Sequence, residues 1–214
     1  MLTLHRADLV LPVTAPALED GAVAVQDGRI AATGPYAELA AANPTARTRA
    51  WHGILTPGLC NPHGRWLLEH TYHPDPREAD QLGTEPITGA ALDALGLDDS
   101  RWGASARRGL QRMLRHGTTA LAGPFERPTV RFAVARSGLT VVAAPDTDCG
   151  EPTLNVLRDG LDGVVHGSLT PGARADLAVF EVPLDGDPAI SLREHGAASC
   201  LATVLAGRLV HRRR

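Results

Sequence analysis

Histidine and carboxylate side chains, which bind zinc or move protons in many enzymes, gather in one short stretch of the chain. Glu69, His70, His73 and Asp75 follow His63 within twelve residues. The spacing of His70 and His73 would place both on one face of a helix, although the neighbouring prolines favour an irregular loop. The stretch therefore predicts either supplementary metal ligands or a polar surface loop.

Cys60 is the thiol of this stretch. A catalytic cysteine needs a depressed pKa and a nearby base. Cys60 precedes His63 by three residues, and in a strand this spacing places the two side chains on opposite faces. We therefore do not expect Cys60 to be catalytic. Cys60, Cys149 and Cys200 are odd in number and widely spaced, which predicts reduced thiols and no disulfide framework.

The composition excludes several classes of chemistry. All 21 basic residues are arginine. Because arginine stays protonated, Schiff-base formation, a P-loop lysine and a carbamylated-lysine metal bridge are excluded. The net charge of −3 argues against a nucleic-acid partner, and we interpret the basic residues 211–214 as a solvated end. No leader pattern and no apolar run of about 18 residues occur. We therefore expect a cytoplasmic protein with no membrane partner.

Both ends of the chain predict short strands joined by turns. Residues 21–25 alternate in polarity, residues 26–28 form a turn signal, and residues 29–33 return as a second strand. A short helix or turn is predicted at 36–42. Further strands are predicted at 2–4, 8–12, 51–55, 176–180, 201–205 and 209–210.

The middle of the chain alternates helical and strand patterns. An amphipathic helix is predicted at 105–116, a strand at 118–122, a helix beginning with Pro128 at 128–136, and a buried strand at 139–144. This alternation predicts a few parallel βα units packed on one another. Residues 78–99 have the weakest pattern and are predicted to form a long loop.

Several motifs resemble the amidohydrolase superfamily. Residues 56–63, Thr-Pro-Gly-Leu-Cys-Asn-Pro-His, resemble its first barrel strand. Residues 27–34 and 167–177 resemble the D-G-x-I-x-x-x-G and G-x-L-x-P-G-x-x-A-D-L segments that form the two halves of its small β-sandwich. Residues 116–120 resemble the start of the second barrel strand. Residues 151–155, Glu-Pro-Thr-Leu-Asn, resemble the run after the eighth strand of imidazolonepropionases, the closest subfamily that we identify.

The resemblance implies an α+β fold. Residues 1–56 and 164–214 would form a small composite β-sandwich from both chain ends. Residues 57–163 would form a truncated βα layer, a partial TIM-barrel-like region of the metal-hydrolase type. A complete barrel needs about 250 residues, whereas the chain has 214. We therefore expect barrel strands three to seven to be absent.

The resemblance also implies a metal site. In the family the first strand ends in two metal-binding histidines, and the eighth strand ends in a metal-binding aspartate. His63 occupies the first histidine position, Arg65 stands at the second, and Asp146 matches the catalytic, metal-binding aspartate, with Asp148 as the alternative. Because a zinc site of this kind needs about four ligands, two hypotheses remain. His70 and His73 supplement a zinc site, or Arg65 fills the vacancy and pairs with Asp146.

Two functions follow from this resemblance. The first is an imidazolonepropionase-like hydrolase that acts on non-peptide C–N bonds of small cyclic amides or amidines with a zinc-activated water. The second is a non-catalytic relative, with a degenerate site, that keeps the scaffold for binding a small molecule or for assembly. The small number of remaining metal ligands favours the second. Because a partial barrel exposes strand edges, we also expect a homodimer in which each chain covers the other's edge. The alternative is that the loop at 78–99 caps the edge within the chain.

Overall fold

The computed structural model describes residues 1–145 and 149–213, and its fold is α+β as predicted. The chain divides into two units. The first, which we call the sheet unit, consists of Met1–Cys60, Leu114–Thr119 and Asn155–Arg214. The second, which we call the helical unit, consists of Asn61–Met113 and Ala120–Leu154.

Ten strands and seven α-helices occur in the described residues. The strands are β1 (Thr3–Val10), β2 (Leu18–Gln26), β3 (Arg29–Pro35), β4 (Arg47–Asn61), β5 (Thr118–Gly123), β6 (Thr140–Ala143), β7 (Val165–His166), β8 (Leu177–Phe180), β9 (Cys200–Leu205) and β10 (Arg208–Arg212). The helices are α1 (Tyr36–Ala42), α2 (Gly64–Glu69), α3 (Ala79–Leu82), α4 (Gly89–Asp93), α5 (Asp99–Leu114), α6 (Pro128–Ser137) and α7 (Pro188–His195), with 3₁₀ turns at Pro76–Glu78 and Ala197–Ser199. Within the described ranges, none of these helices has the length and apolar character that a membrane span requires.

Strands from both chain ends form one hydrogen-bonded path in the sheet unit. The order is β10-β9-β8-β4-β1-β2-β3. β1 and β4 are parallel, whereas β4 and β8 are antiparallel, so β4 joins the strands of the N-terminal half to those of the C-terminal half. A shared apolar core that includes Val23, Ile30, Leu177 and Val204 lies on this sheet. The two chain ends thus build one unit, and their arrangement as a sandwich stays a prediction.

The hairpin between β2 and β3 forms where the sequence predicted it. Gln26 and Arg29 are register partners. Asp27 and Gly28 between them have φ angles of 51° and 77°. A two-residue hairpin turn of this kind needs positive φ at both positions, which Asp-Gly adopts readily. The Asp-Gly pair therefore explains why the chain reverses at this point.

The two motifs assigned to the sandwich halves are bonded to each other. The Ala175 N–H donates to the Gly28 carbonyl at 2.9 Å, the Ile30 N–H donates to the Ala173 carbonyl at 2.9 Å, and the Gly172 N–H donates to the Ile30 carbonyl at 2.8 Å. The buried Asp176 carboxylate accepts the N–H of Ala206 at 2.7 Å, in the turn between β9 and β10. Burial raises the pKa of Asp176. These hydrogen bonds hold residues 27–34 and residues 167–177 together in one unit, although the two segments lie far apart in the sequence.

The helical unit contains the predicted βα alternation. Ala120 to Gly123 of β5 pair in parallel with Thr140 to Ala143 of β6, and α6 connects the two strands. The C-terminal residue of α6 is followed by Gly138 in the left-handed conformation, which is the common way to end a helix. The partial TIM-barrel-like character of this region stays a prediction.

The structure corrects several element boundaries. The strands predicted at 2–4 and 8–12 are one strand, β1, and the strand predicted at 51–55 is the middle of the 15-residue β4. The loop predicted at 78–99 contains α3 and α4. The strand predicted at 139–144 alternates between half-buried and exposed residues and is not fully buried. α7 was not predicted, although Asp187 caps it and Pro188 begins it in the usual way.

Candidate functional site

Asn61 fixes the chain where β4 ends and the predicted metal site begins. Its side-chain carbonyl accepts the N–H of His63 at 2.9 Å, and its amide donates to the Thr153 carbonyl at 3.0 Å. The half-buried His63 stands at the N-cap position of α2, which starts at Gly64, and its side chain makes no capping hydrogen bond. The expected strand therefore does not continue to residue 65, and Arg65 lies in the first turn of a helix.

Arg65 is bound to two carboxylates in the helical unit. Its Nη2 lies 2.5 Å from Glu126 Oε1, and its Nε lies 3.7 Å from Glu69 Oε2, one helical turn along α2. The Glu69 side chain is only 3% exposed. Because a buried carboxylate is costly without compensating partners, the Arg65 guanidinium helps to offset the cost of burying the Glu69 side chain.

Glu69 in turn holds the segment that precedes α6. Its Oε1 accepts the backbone N–H of Glu126 at 2.8 Å and that of Arg127 at 2.6 Å. Glu69 belongs to the polar stretch seen in the sequence, but its pairing with Arg65 was not predicted, although the i,i+4 spacing is a signal for such a pair. Glu126 was missed entirely, because it is 61 residues from Arg65.

The structure does not place His70 and His73 on one helical face. α2 ends at Glu69, before both of them, and His70 is exposed. His73 is 1% exposed, and its Nε2 lies 2.9 Å from the Leu67 carbonyl oxygen. Burial lowers the pKa of His73 to about 4. The adjacent Pro74 disfavours a continued helix, as the alternative of an irregular loop predicted, and the role of His70 and His73 as supplementary ligands stays a prediction.

The other polar groups of this stretch hold the local fold. The Asp75 carboxylate accepts from Arg108 Nη1 at 3.1 Å and caps the 3₁₀ turn that follows. The hydroxyl of the buried Tyr72 donates to Glu78 at 2.5 Å, and Arg101 donates to the same carboxylate at 2.9 Å. Acid groups that could bind a cation are thus engaged with arginine and tyrosine.

Asp146 and its alternative Asp148 lie outside the described residues, so the proposed Arg65–Asp146 pair stays a prediction. Within residues 1–145 and 149–213, no group of three or more histidine, cysteine, aspartate and glutamate side chains is arranged to hold a metal ion.

Asn155, the last residue of the imidazolonepropionase-like motif, stabilises a turn in the sheet unit. Its side-chain oxygen accepts the N–H of Ala197 at 2.7 Å. Gly196, which precedes Ala197, has a φ of 64°, and a Cβ at this position would lie 2.6 Å from the Asn155 amide nitrogen. The asparagine and the glycine thus fit together closely where α7 ends.

One segment of the chain matches a known protein family. Residues 21–46 match the family model of the imidazolonepropionase-like composite domain of bacteria. None of the curated proteins matches the chain.

Solved structures give partial likenesses. Guanine deaminase of E. coli is 16% identical over 67% of this chain and 36% of that chain, with a TM-score of 0.49. A zinc-bound adenosine deaminase from Xanthomonas campestris is 25% identical over 65% of this chain and 33% of that chain, with a TM-score of 0.44. Ochratoxinase of A. niger is 20% identical over 66% of this chain and 31% of that chain, with a TM-score of 0.46.

The chain spans about a third of the length of these solved structures. The matching family segment contains the Asp27-Gly28 turn and Ile30, which carry the first sandwich motif. The resemblance to imidazolonepropionase-like proteins that the motifs predicted is therefore confirmed for this segment.

Proposed function

We propose that this chain is an imidazolonepropionase-like relative that has lost metal-dependent C–N bond hydrolysis and keeps its scaffold for binding or assembly. The observation that carries the proposal is the setting of Arg65. This arginine occupies the position of the second metal-binding histidine, and it is engaged by Glu69 and Glu126.

The charge of Arg65 opposes a metal ion at this position. Arginine stays protonated at every pH at which the protein is folded. A guanidinium within about 4 Å of a divalent cation would oppose metal binding by several kcal/mol at the dielectric typical of a protein surface. His63 and Asp146 would supply two ligands of the roughly four that a zinc site of this class uses. A hydrolytic zinc site would thus lack ligands and face an unfavourable charge.

We expect the purified protein to retain far less than stoichiometric zinc. The measurement is metal content by mass spectrometry, before and after incubation with zinc followed by removal of the excess. His63→Ala should leave the retained zinc unchanged, because two ligands bind zinc weakly. His52→Ala is the matched control, since the side chain of His52 is 91% exposed and lies in the sheet unit.

Near-stoichiometric zinc that is lost in His63→Ala or Asp146→Ala, but kept in His52→Ala, would overturn the proposal. That result would support the hydrolase function and justify a screen of cyclic amides and amidines. Zinc lost equally in all three variants would indicate adventitious binding by surface histidines.

If the scaffold serves for assembly, we expect it to form a homodimer. Among the described residues, β6 pairs only with β5, and the two strands are parallel. Parallel strands are normally covered on both faces, yet Val141 on β6 is 49% exposed and Phe132 on α6 is 61% exposed. A second copy would cover this edge and these apolar side chains.

We expect light scattering to give twice the mass of the 22.5 kDa chain. Val141→Lys should shift the protein towards the monomer, because a buried unpaired lysine at the interface is costly. The matched control is Val210→Lys on β10, which is 39% exposed and lies in the sheet unit. A monodisperse monomer of the unmodified protein would contradict the dimer. Cys60, Cys149 and Cys200 form no disulfide with one another, which supports the cytoplasmic location that we propose.

A further inference from the structure

A basic cleft lies in the sheet unit, and His116 is its only lining residue that belongs to one of the family motifs. Its volume is about 460 Å³. Ala198 and the buried Cys200 form part of its wall. The remaining lining residues, which define the basic cleft, are Arg115, His116, His211, Arg212 and Arg213.

Hydrogen bonds to β9 bring these residues together. The Thr203 hydroxyl donates to the Leu114 carbonyl at 2.6 Å, which fixes the chain just before Arg115 and His116. Thr203 is also the register partner of His211 on β10. The Arg213 N–H donates to the Leu201 carbonyl at 2.8 Å. The residues 211–213, interpreted from the sequence as part of a solvated end, are thus held on the sheet beside residues 115 and 116.

The positive charge of the basic cleft is only partly compensated. Arg213 pairs with Glu181. Arg212 lies over the Trp51 ring, 5.6 Å from its centroid. In the described part of the chain, Arg115 has no carboxylate partner. Burial, followed by the charges of Arg115, His116 and Arg213, lowers the pKa of His211, which is the effect expected of a positive local potential.

We propose that the basic cleft binds a small phosphate-bearing anion. Arginine guanidinium groups donate two parallel hydrogen bonds to phosphate oxygens, and neutral imidazoles add one donor each. With three arginines and one paired carboxylate, the fixed charge around the cleft is close to plus two, which balances a dianionic phosphate. The Cys200 thiol takes no part as a nucleophile, because burial raises its pKa to about 11.

Calorimetric titration with inorganic phosphate at constant ionic strength tests the proposal. We expect saturable binding to the intact protein. Arg115→Gln should weaken it by about tenfold or more, as expected for the loss of a charged hydrogen bond, and Arg115→Lys should weaken it less because the charge is kept. Arg208→Gln is the matched control, since Arg208 lies on β10, as His211 and Arg212 do, but lines a different cleft. It should change the affinity by less than about twofold.

Three results would overturn the inference. The first is the lack of saturable phosphate binding. The second is equal weakening in Arg115→Gln and Arg208→Gln, which would reveal a response to net charge only. The third is acetate binding as tightly as phosphate, which would exclude recognition of a dianion. Binding of a polyanion such as heparin without binding of phosphate would also count against a small-ligand cleft. The circular dichroism spectrum of each variant should match that of the unmodified protein, which would show that the substitution leaves the fold intact.

Discussion

Replacing Gly58 with alanine is expected to destabilise the protein by about 3 kcal/mol. Gly58 lies on β4, in the Thr-Pro-Gly motif. A Cβ at this position would lie 1.9 Å from the hydroxyl oxygen of Thr119, 2.4 Å from its methyl carbon and 2.7 Å from its Cβ. Because the Cβ of Thr119 is itself too close, rotation of the threonine side chain cannot relieve the contact. The strands would have to move apart.

Urea unfolding of Gly58→Ala measures this cost. Gly34→Ala on β3 is the matched control, because no atom lies within 4 Å of the Cβ position there. It should change the free energy of unfolding by less than about 0.5 kcal/mol. In a double-mutant cycle, Thr119→Ala should recover part of the loss in the Gly58→Ala background. If the free energy of unfolding of Gly58→Ala lay within about 0.5 kcal/mol of that of the unmodified protein, the close approach would not affect stability.

The close approach at Gly58 joins two motifs that the sequence indicated separately. Thr119 belongs to the His-Gly-Thr-Thr motif, and the Gly117 carbonyl of that motif accepts the N–H of Leu59 at 3.0 Å. Gly117 has a φ of 77°, and a Cβ there would lie 2.9 Å from the Phe180 ring. The sequence predicted a strand at each motif. It could not predict their contact, because the close packing of another strand against a glycine leaves no pattern in the neighbouring residues.

Local signals predicted the sheet unit well. The Asp27-Gly28 turn, the alternation in β2 and the helix at Tyr36–Ala42 all form as expected, because turn chemistry and side-chain period act over a few residues. The long β4 was predicted only in part. Its pairing with β1 and with β8 extends it well beyond the segment whose own residues favour a strand.

The candidate metal site was harder to predict than the sheet. The family motif indicated a strand through residue 65, whereas α2 begins at Gly64. The position of Arg65 is determined by Glu126 and Glu69, and only the second of these is a neighbour in sequence. The role of Asp146 stays a prediction. The resemblance therefore predicted where the site would lie, and the contacts with Glu69 and Glu126 explain how Arg65 is accommodated on α2.

Acid is expected to destabilise the protein through two buried histidines. His5 on β1 is 1% exposed, and its Nδ1 accepts from Trp51 Nε1 at 3.3 Å. Burial, followed by the charge of Arg49, lowers the pKa of His5 to about 4. His73 in the helical unit has a pKa of about 4, mainly because of burial. Among the described residues, neither the Nε2 of His5 nor the Nδ1 of His73 has a hydrogen-bond partner.

The direction of the effect follows from the proton uptake of the unfolded chain. An unfolded histidine takes up its proton near pH 6.5, whereas each folded one does so near pH 4. The stability that each neutral histidine contributes is therefore fully present above pH 6.5 and is lost as the pH falls to about 4. Since one pKa unit corresponds to about 1.4 kcal/mol, each histidine accounts for about 3 kcal/mol of this loss.

Urea unfolding at pH 6.5 and at pH 4 measures how much the free energy of unfolding falls between the two pH values. The proteins compared are His5→Gln, His73→Gln and the unmodified protein. Glutamine does not titrate, and it keeps an acceptor for the Trp51 N–H and a donor for the Leu67 carbonyl. Each variant should lose about 3 kcal/mol less than the unmodified protein between the two pH values. His52→Gln, at a side chain that is 91% exposed, should lose as much as the unmodified protein. Because the carboxylates titrate in all four proteins, only the difference in lost stability between a variant and the unmodified protein reports on the histidine. If His5→Gln lost as much stability as the unmodified protein, His5 would not be held neutral by burial.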